Sequence, residues 1–188
     1  MIASKDRSYY IGGSDVEKVI GNWKTKTWLK WWLQKLAINN EHFDNVYTLA
    51  GTYFEHRILE SLGIAMELDK QFVDEELRLR INLDGNTEDT NYECKTTKED
   101  INSFKVPKKY IHQTQVQMFG SGLRKTKLVV YQLTEDDYEN FFKPIDRGRL
   151  RLFDIPYDEK WVREVYMPKH LILRDCLVKG VLPDEAAV

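Results

Sequence analysis

The sequence predicts an α/β fold, a central mixed β-sheet flanked by helices, and three observations carry that expectation. Apolar residues recur at helical spacing through the first third of the chain. The pattern then switches to alternation over residues 77–84. Last, a helical stretch at 108–121 separates two strand-like segments, 92–96 and 127–133, as a helix crossing between strands does.

Taken in order, Ser14-Asp15-Val16-Glu17 reads as a capping box with Ser14 as N-cap, opening a short helix that carries Val16, Val19 and Ile20 and stops near Gly21. Gly12-Gly13 makes a small, flexible approach to it. A second helix, about 27–37, holds Trp28, Leu29, Trp31, Trp32, Leu33 and Leu36, and a third, about 47–62, ends at Gly63. Leu77, Leu79, Ile81 and Leu83 then alternate with Arg78, Arg80, Asn82 and Asp84, a half-buried strand whose last polar residue is Asp84. Asp84-Gly85-Asn86 and the polar stretch to Thr90 form a hairpin-like connection to the strand at 92–96. A loop ending at Pro107 leads to the helix at 108–121, then to strands at 127–133 and 150–155 and a last helix at 158–179.

The chain of 188 residues supports one domain: a helical part at about 14–63, sheet and helix at about 64–155, and a C-terminal helix at about 158–180. Its 42% hydrophobic and 31% charged composition is that of a folded protein. A net charge of -2 advertises no polyanion partner, so a nucleic-acid enzyme of this charge must gather its basic residues locally. Cys94 and Cys176 form no CxxC, which argues against a zinc ribbon, an iron-sulfur cluster or a disulfide framework. No apolar run approaches the roughly 18 residues of a membrane span, and the N-terminus lacks the layout of a signal peptide. The expectation is a cytoplasmic protein with no membrane partner.

Hydrolysing a phosphodiester needs a Lewis acid, an activated water and a clamp on developing charge, which carboxylate-held Mg²⁺ largely supplies. Asp84 at a strand end and Glu93-Cys94-Lys95 on the returning strand bring two carboxylates to neighbouring positions, and Lys95 shares a face with Glu93. Cys94 faces the core with its carbonyl still in reach. Acid-x-Lys pairs are common on solvated strand faces. Asp158-Glu159-Lys160 is one such pair, but it sits at a helix start with no second acid from an adjoining strand and reads as helix-dipole chemistry. Glu55, within an amphipathic helix, is either a surface acid or a further metal ligand. Gln113 and Gln117, four apart with Gln115 between them, are by themselves ordinary helix formers.

In chain order, Ile11-Gly12-Gly13-Ser14-Asp15, Gly51-Thr52-Tyr53-Phe54-Glu55, Leu83-Asp84-Gly85, Glu93-Cys94-Lys95 and Val106-Pro107-x-x-Tyr110-x-x-Gln113-x-Gln115 resemble the motifs of PD-(D/E)XK nucleases. Within them the set is similar to the lambda exonuclease and YqaJ viral recombinase group, over about residues 11–133. The resemblance implies a restriction-endonuclease-like core. It makes Asp84 and Glu93 metal ligands with the Cys94 carbonyl in the same shell, and Glu55 the helix acid that supports a second metal. Lys95 would orient or help deprotonate the attacking water and steady charge on phosphate. Gln113 would position the site, while the family repeats Gln115 without one clear job. The cofactor implied is Mg²⁺, one or two ions, with Mn²⁺ as an alternative.

Ser14 has two readings: an N-cap with no further role, or, by the resemblance, part of a 5'-phosphate pocket at a helix start. Lys24 falls where the group carries a basic phosphate contact, although the family example is closer to an arginine. The activity implied is removal of nucleotides from double-stranded DNA ends, 5' to 3', leaving 3' single-stranded tails for phage-type recombination in a bacterial host. A homotrimer and a single-strand annealing protein are the partners implied. An endonuclease or nickase of the same fold, or a catalytically silent DNA-end binder or inhibitor, are the alternatives. Trp23, Trp28, Trp31 and Trp32 read as core or subunit contact rather than a base-stacking platform. Lys105, Lys108, Lys109, Arg124, Lys125 and Lys127 flank the glutamine helix as a soluble face or a track for the DNA backbone. His56, His112 and His170 lack zinc-like spacing and are assigned no ligand role.

Overall fold

The computed structural model describes residues 8–38 and 46–184. Six strands form one mixed sheet: β1 (Ile11–Gly12), β2 (Glu67–Asp74), β3 (Leu79–Asn86), β4 (Thr90–Thr97), β5 (Lys125–Gln132) and β6 (Leu150–Pro156), in the order β1-β3-β4-β5-β6 with β2 also paired to β3. The helices are α1 (Val16–Ile20), α2 (Lys26–Lys35), α3 (Val46–Glu60), α4 (Lys108–Ser121), α5 (Glu135–Glu139), α6 (Glu159–Trp161) and α7 (Met167–Lys179). β4 and β5 run parallel from Thr90↔Lys125 to Thr97↔Gln132, with α4 between them in sequence, which is the crossing read from the spacing. The β2–β3, β3–β4 and β5–β6 pairings are antiparallel.

Neighbouring side chains of a strand point to opposite faces, and β5 packs both ways for that reason. Val129 and Tyr131 join Phe54, Ile58 and Leu59 of α3, while Leu128 and Val130 meet Met118 of α4. Leu79, Ile81 and Leu83 of β3 pack with Val116 of α4 and with the tryptophans. The tryptophan cluster is core: Trp28 stacks on Trp23 at 5.8 Å and on Trp32 at 5.5 Å between ring centroids, and every indole N–H has a partner. Among the described residues no helix is long and apolar enough to cross a membrane.

β3 and β4 pair at only two positions, Gly85↔Tyr92 and Asn86↔Asn91. At the other end of β3, Leu79 and Arg80 pair with β1. The two strands therefore part company at Asp84, and this fork positions everything that follows.

Several elements depart from the sequence expectation. The strand expected at 77–84 begins at Leu79 and runs on to Asn86, so the turn moves to residues 87–89, closed by the Thr87 N–H on the Thr90 carbonyl at 2.9 Å. Strand β2 was not anticipated, because Glu67–Asp74 scatters charge over both faces of an edge strand and shows no alternation. Ser14 is not an N-cap: Gly13–Asp15 forms a 3-10 turn that leads into α1 without a side-chain cap bond, and the Gly12 N–H goes instead to Asp15 Oδ2 at 2.8 Å. The helix expected at 158–179 is broken by a π turn at Val162–Tyr166. Pro168 has no N–H to offer the preceding turn, which accounts for the widening. His170 is buried on α7 with Tyr166 OH and the Leu77 carbonyl as ring partners.

Gly120 is where α4 touches β3: an added Cβ would lie 2.4 Å from Ile81 Cγ1 and 3.0 Å from Leu79 Cδ2. Gly120→Ala is expected to destabilise by about 1–3 kcal/mol, a fall of roughly 2–10 °C in Tm for a chain of this size. Thermal unfolding checks it. A rise in Tm, as helix propensity alone would give, would show that the contact is not tight.

Candidate active site

Where backbone pairing stops, the Asp84 side chain takes over: its Oδ2 accepts the Cys94 N–H at 2.8 Å. The sheet's hydrogen bonding thus continues through a carboxylate, and the gap beyond it is a cleft of about 280 Å³. Asp84, Glu93 and Lys95 line it from the forked strands, Glu55 from α3, and Gln113 and Gln117 from α4. Cys94 turns into the opposite core with Phe54 and Val129.

Glu93 is 1% exposed, and a buried carboxylate requires donors. It has three. Lys95 Nζ and Gln113 Nε2 both donate to Oε1 at 2.5 Å, and Gln117 Nε2 donates to Oε2 at 2.5 Å. Residues four apart share a helix face, which is why both amides reach the same acid. Gln115, about 200° around the helix from Gln113, faces elsewhere. It donates to the Pro156 carbonyl at 2.9 Å and accepts the Asp158 N–H at 2.6 Å, tying α4 to the end of β6. Its role is structural. Gln117 was undervalued in the sequence, although its spacing from Gln113 was the available signal.

Crowding sets the electrostatics. Burial, then the charges of Glu93 and Glu55, push the Asp84 carboxyl well above the ordinary range. Burial and Glu93 likewise push Glu55 up to about 7. Burial works against the Lys95 ammonium, but Glu93 and Asp84 outweigh it and hold its pKa above the ordinary lysine value. Three carboxylates facing one ammonium leave negative charge uncompensated, and an all-oxygen donor set of this kind fits a hard divalent cation. Glu55 also meets His56 and Asp69, the three offering ligand atoms within 4.8 Å of one another. His56, assigned no ligand role for want of zinc-like spacing, lies 3.1 Å from Asp69 Oδ2. Asp69 lies on β2, which the sequence did not reveal, so no sequence spacing could bring the three together.

The rim of the cleft is built from the N-terminal turn. Ser14 is exposed there beside Gly13, whose added Cβ would lie 3.0 Å from Gln117 Cγ, so the turn can press on α4 only because it is glycine. Below it Asp15 accepts from Trp31 Nε1 at 2.9 Å and pairs with Lys35 at 2.6 Å, anchoring the rim to the tryptophan core. Lys24 is not at the cleft: it is exposed in the loop between α1 and α2, its N–H on Asn22 Oδ1. The further cations on the cleft lining are Lys35, buried against Asp15, and Arg80, 5.4 Å from the Tyr10 ring. The sequence hid Lys35 inside an aromatic helix and Arg80 in the polar face of a strand. Of the expected basic track, Lys125 and Lys127 pair with Asp89 and Asp154, Arg124 donates to the Met118 carbonyl, and Lys109 lies 5.0 Å from the Tyr110 ring; the site's own Lys95 lies 5.7 Å from the same ring.

Asp84 carries a stability prediction. Its folded-state pKa lies above its unfolded value, so the folded protein favours the neutral form, and stability is lost as pH rises through the folded pKa. Asp84→Asn removes that loss and keeps an oxygen for the Cys94 N–H. In metal-free buffer at pH 8 the variant should melt higher by roughly 2–4 °C, about 1 kcal/mol for this chain length, and the gain should vanish toward pH 4. A lower Tm at pH 8 would contradict the crowding.

The YqaJ-like viral recombinase domain model matches residues 4–124, more than half of the chain. No curated protein matches it significantly. Among solved structures, an alkaline exonuclease (LHK-Exo) from Laribacter hongkongensis is similar with a TM-score of 0.68 at 19% identity, covering 90% of this chain and 88% of that one. The same exonuclease in complex with dAMP gives 0.69 at 18% identity over the same shares. A phage related exonuclease from Haemophilus somnus 129PT gives 0.63 at 16% identity, covering 90% of this chain and 95% of that one. At such identities the likeness establishes the fold, a mixed sheet with helices on both faces shared with these exonucleases. With the family match added, the chain belongs to the YqaJ-like viral recombinase domain family.

Proposed function

We propose that this chain is a metal-dependent exonuclease acting on duplex DNA ends. The observation that carries the reading is the gathering of Asp84, Glu93, Glu55 and Lys95 on one cleft, in which burial and the charges of Glu93 and Glu55 raise the Asp84 pKa, and burial and Glu93 raise that of Glu55. Asp84, Glu93, the Cys94 carbonyl and Glu55 would hold one or two divalent ions, Mg²⁺ by preference and Mn²⁺ as a substitute. When bound, the metal supplies a Lewis acid for the phosphoryl oxygens and lowers the pKa of water.

The chain's own groups do the rest. Lys95 enters as an ammonium, since its neighbours hold its pKa up, so it donates to the attacking water and to phosphate oxygens instead of accepting a proton. Gln113 fixes Glu93. Ser14, with Arg80 also on the cleft lining, would receive a 5'-phosphate and so set the scissile bond relative to the end. Removal would run 5' to 3' and leave a 3' single-stranded tail, a product suited to a single-strand annealing partner. A homotrimer around the duplex would keep the enzyme on its track. Support for nucleotide chemistry comes from the similar alkaline exonuclease described with dAMP.

Linear duplex is expected to release nucleotides in Mg²⁺ and not in EDTA, faster with a 5'-phosphate than without, while covalently closed circular DNA stays intact. Cutting of the circle would turn the reading to an endonuclease, and equal digestion by parent and Asp84→Asn would remove this cleft from the chemistry. Indifference to the 5'-phosphate would remove the rim assignment alone. Metal needs its carboxylates deprotonated, and Glu55 loses its proton near pH 7. Mn²⁺ affinity by calorimetry should therefore strengthen from pH 6 to pH 8, with protons released on binding. Equal affinity at the two pH values would exclude Glu55 as a ligand.

A further inference from the structure

Behind Glu93 lies a line of buried polar side chains that the family motifs do not include. Gln117, Asn91 and Thr126 are each 2% exposed or less. Asn91 Nδ2 donates to Gln117 Oε1 and to Thr126 Oγ1, both at 3.3 Å, and Gln117 Nε2 donates to Glu93 Oε2 at 2.5 Å and to the Asn82 carbonyl at 3.3 Å. Asn91 is two residues before Glu93 on β4, and Gln117 is one helical turn beyond Gln113, so strand and helix periodicity aim both at the same acid.

The line has one polarity. A carboxamide has a donor end and an acceptor end. Because Asn91 donates to Gln117 Oε1, the donor end of Gln117 must face Glu93. Turned over, Gln117 would set its oxygen against the Glu93 carboxylate and the Asn82 carbonyl, two acceptors. Gly13 leaves this side chain its room, since a Cβ there would lie 3.0 Å from Gln117 Cγ. The arrangement leaves Asn91 Oδ1 buried with no hydrogen-bond partner among the described residues, a cost that packing alone would not demand and that apolar side chains would avoid.

Donor counts give the line a purpose. Among the described residues Glu93 Oε1 already takes two donors, from Lys95 and Gln113, whereas Oε2 takes only the one from Gln117. An ionised carboxylate oxygen has about two lone-pair sites. The site left over on Oε2 is therefore the one Glu93 can offer to a cation, and Gln117 decides where it points. We infer that Gln117, held by Asn91, is a positioning residue that sets the metal-binding orientation of Glu93. This rests on the proposed metal-dependent activity.

The test measures Mn²⁺ binding by calorimetry on the full chain, beside thermal melting and steady-state kinetics on linear duplex. Gln117→Met keeps the volume and removes the amide. It should weaken Mn²⁺ affinity about 10–100-fold, the usual range for groups that orient metal ligands, and lower kcat at fixed sub-saturating metal while KM for DNA holds. Asn91→Leu, which leaves Gln117 in place but frees its amide to turn, should weaken Mn²⁺ binding in the same direction by less, and it carries the test should Gln117→Met fail to fold. Gln115→Leu, on the same helix, should lower Tm with Mn²⁺ affinity unchanged. Unaltered Mn²⁺ affinity in a folded Gln117→Met or Asn91→Leu protein, or a loss that Gln115→Leu matches, overturns the inference. A parent chain that binds no Mn²⁺ takes down the metal-dependent reading, and this inference with it.

Discussion

The bond between the Asp84 carboxylate and the Cys94 amide is the contact on which the site depends. A sheet that splits must leave backbone groups without ladder partners, and a buried amide left alone costs about 1–3 kcal/mol. Asp84 supplies the missing acceptor, so β3 can leave β4 after two paired positions while the sheet stays satisfied. The same carboxylate is thereby held at the mouth of the gap it helps create. Glu93 follows from the other prong of the fork, and α4, which must cross back to start β5, delivers its amides on top.

What builds the site also works against the fold. Asp84 and Glu55 are forced together with Glu93 in a partly buried volume, and each becomes harder to ionise. Hydrogen bonds answer part of this: two amides and one ammonium on Glu93, one backbone N–H on Asp84. They do not cancel the charge. On the proposed metal-dependent reading, binding a hard cation there would relieve repulsion as well as form bonds.

Sequence pattern was most informative where one periodicity dominated. The alternation of Leu79, Ile81 and Leu83 with Arg80, Asn82 and Asp84 located β3, and the helix at Lys108–Ser121 emerged with the bounds expected of it. Lys95 beside Glu93 followed from two-residue strand spacing. Contacts set by tertiary structure were harder to see. Asp69 depends on an edge strand with no apolar face, Lys35 on a helix that reads as pure core, and Asn91 on knowing that strand β4 is buried on both sides. Lys24 is the reverse case: sequence position suggested a phosphate contact, and the side chain lies exposed in the loop between α1 and α2, outside the cleft lining. Ser14 was expected to cap a helix, and that bond is absent because Asp15 satisfies the turn instead.

The tether made by Gln115 has a consequence for how the protein is born. A nascent chain that has emerged only as far as residue 150 already owns Asp84, Glu93, Lys95 and both amides that grip the acid. It lacks Pro156 and Asp158, the backbone groups that seize Gln115 and hold α4 at its midpoint. The clasp between α4 and the end of β6 can therefore close only after every side chain that lines the cleft has been made.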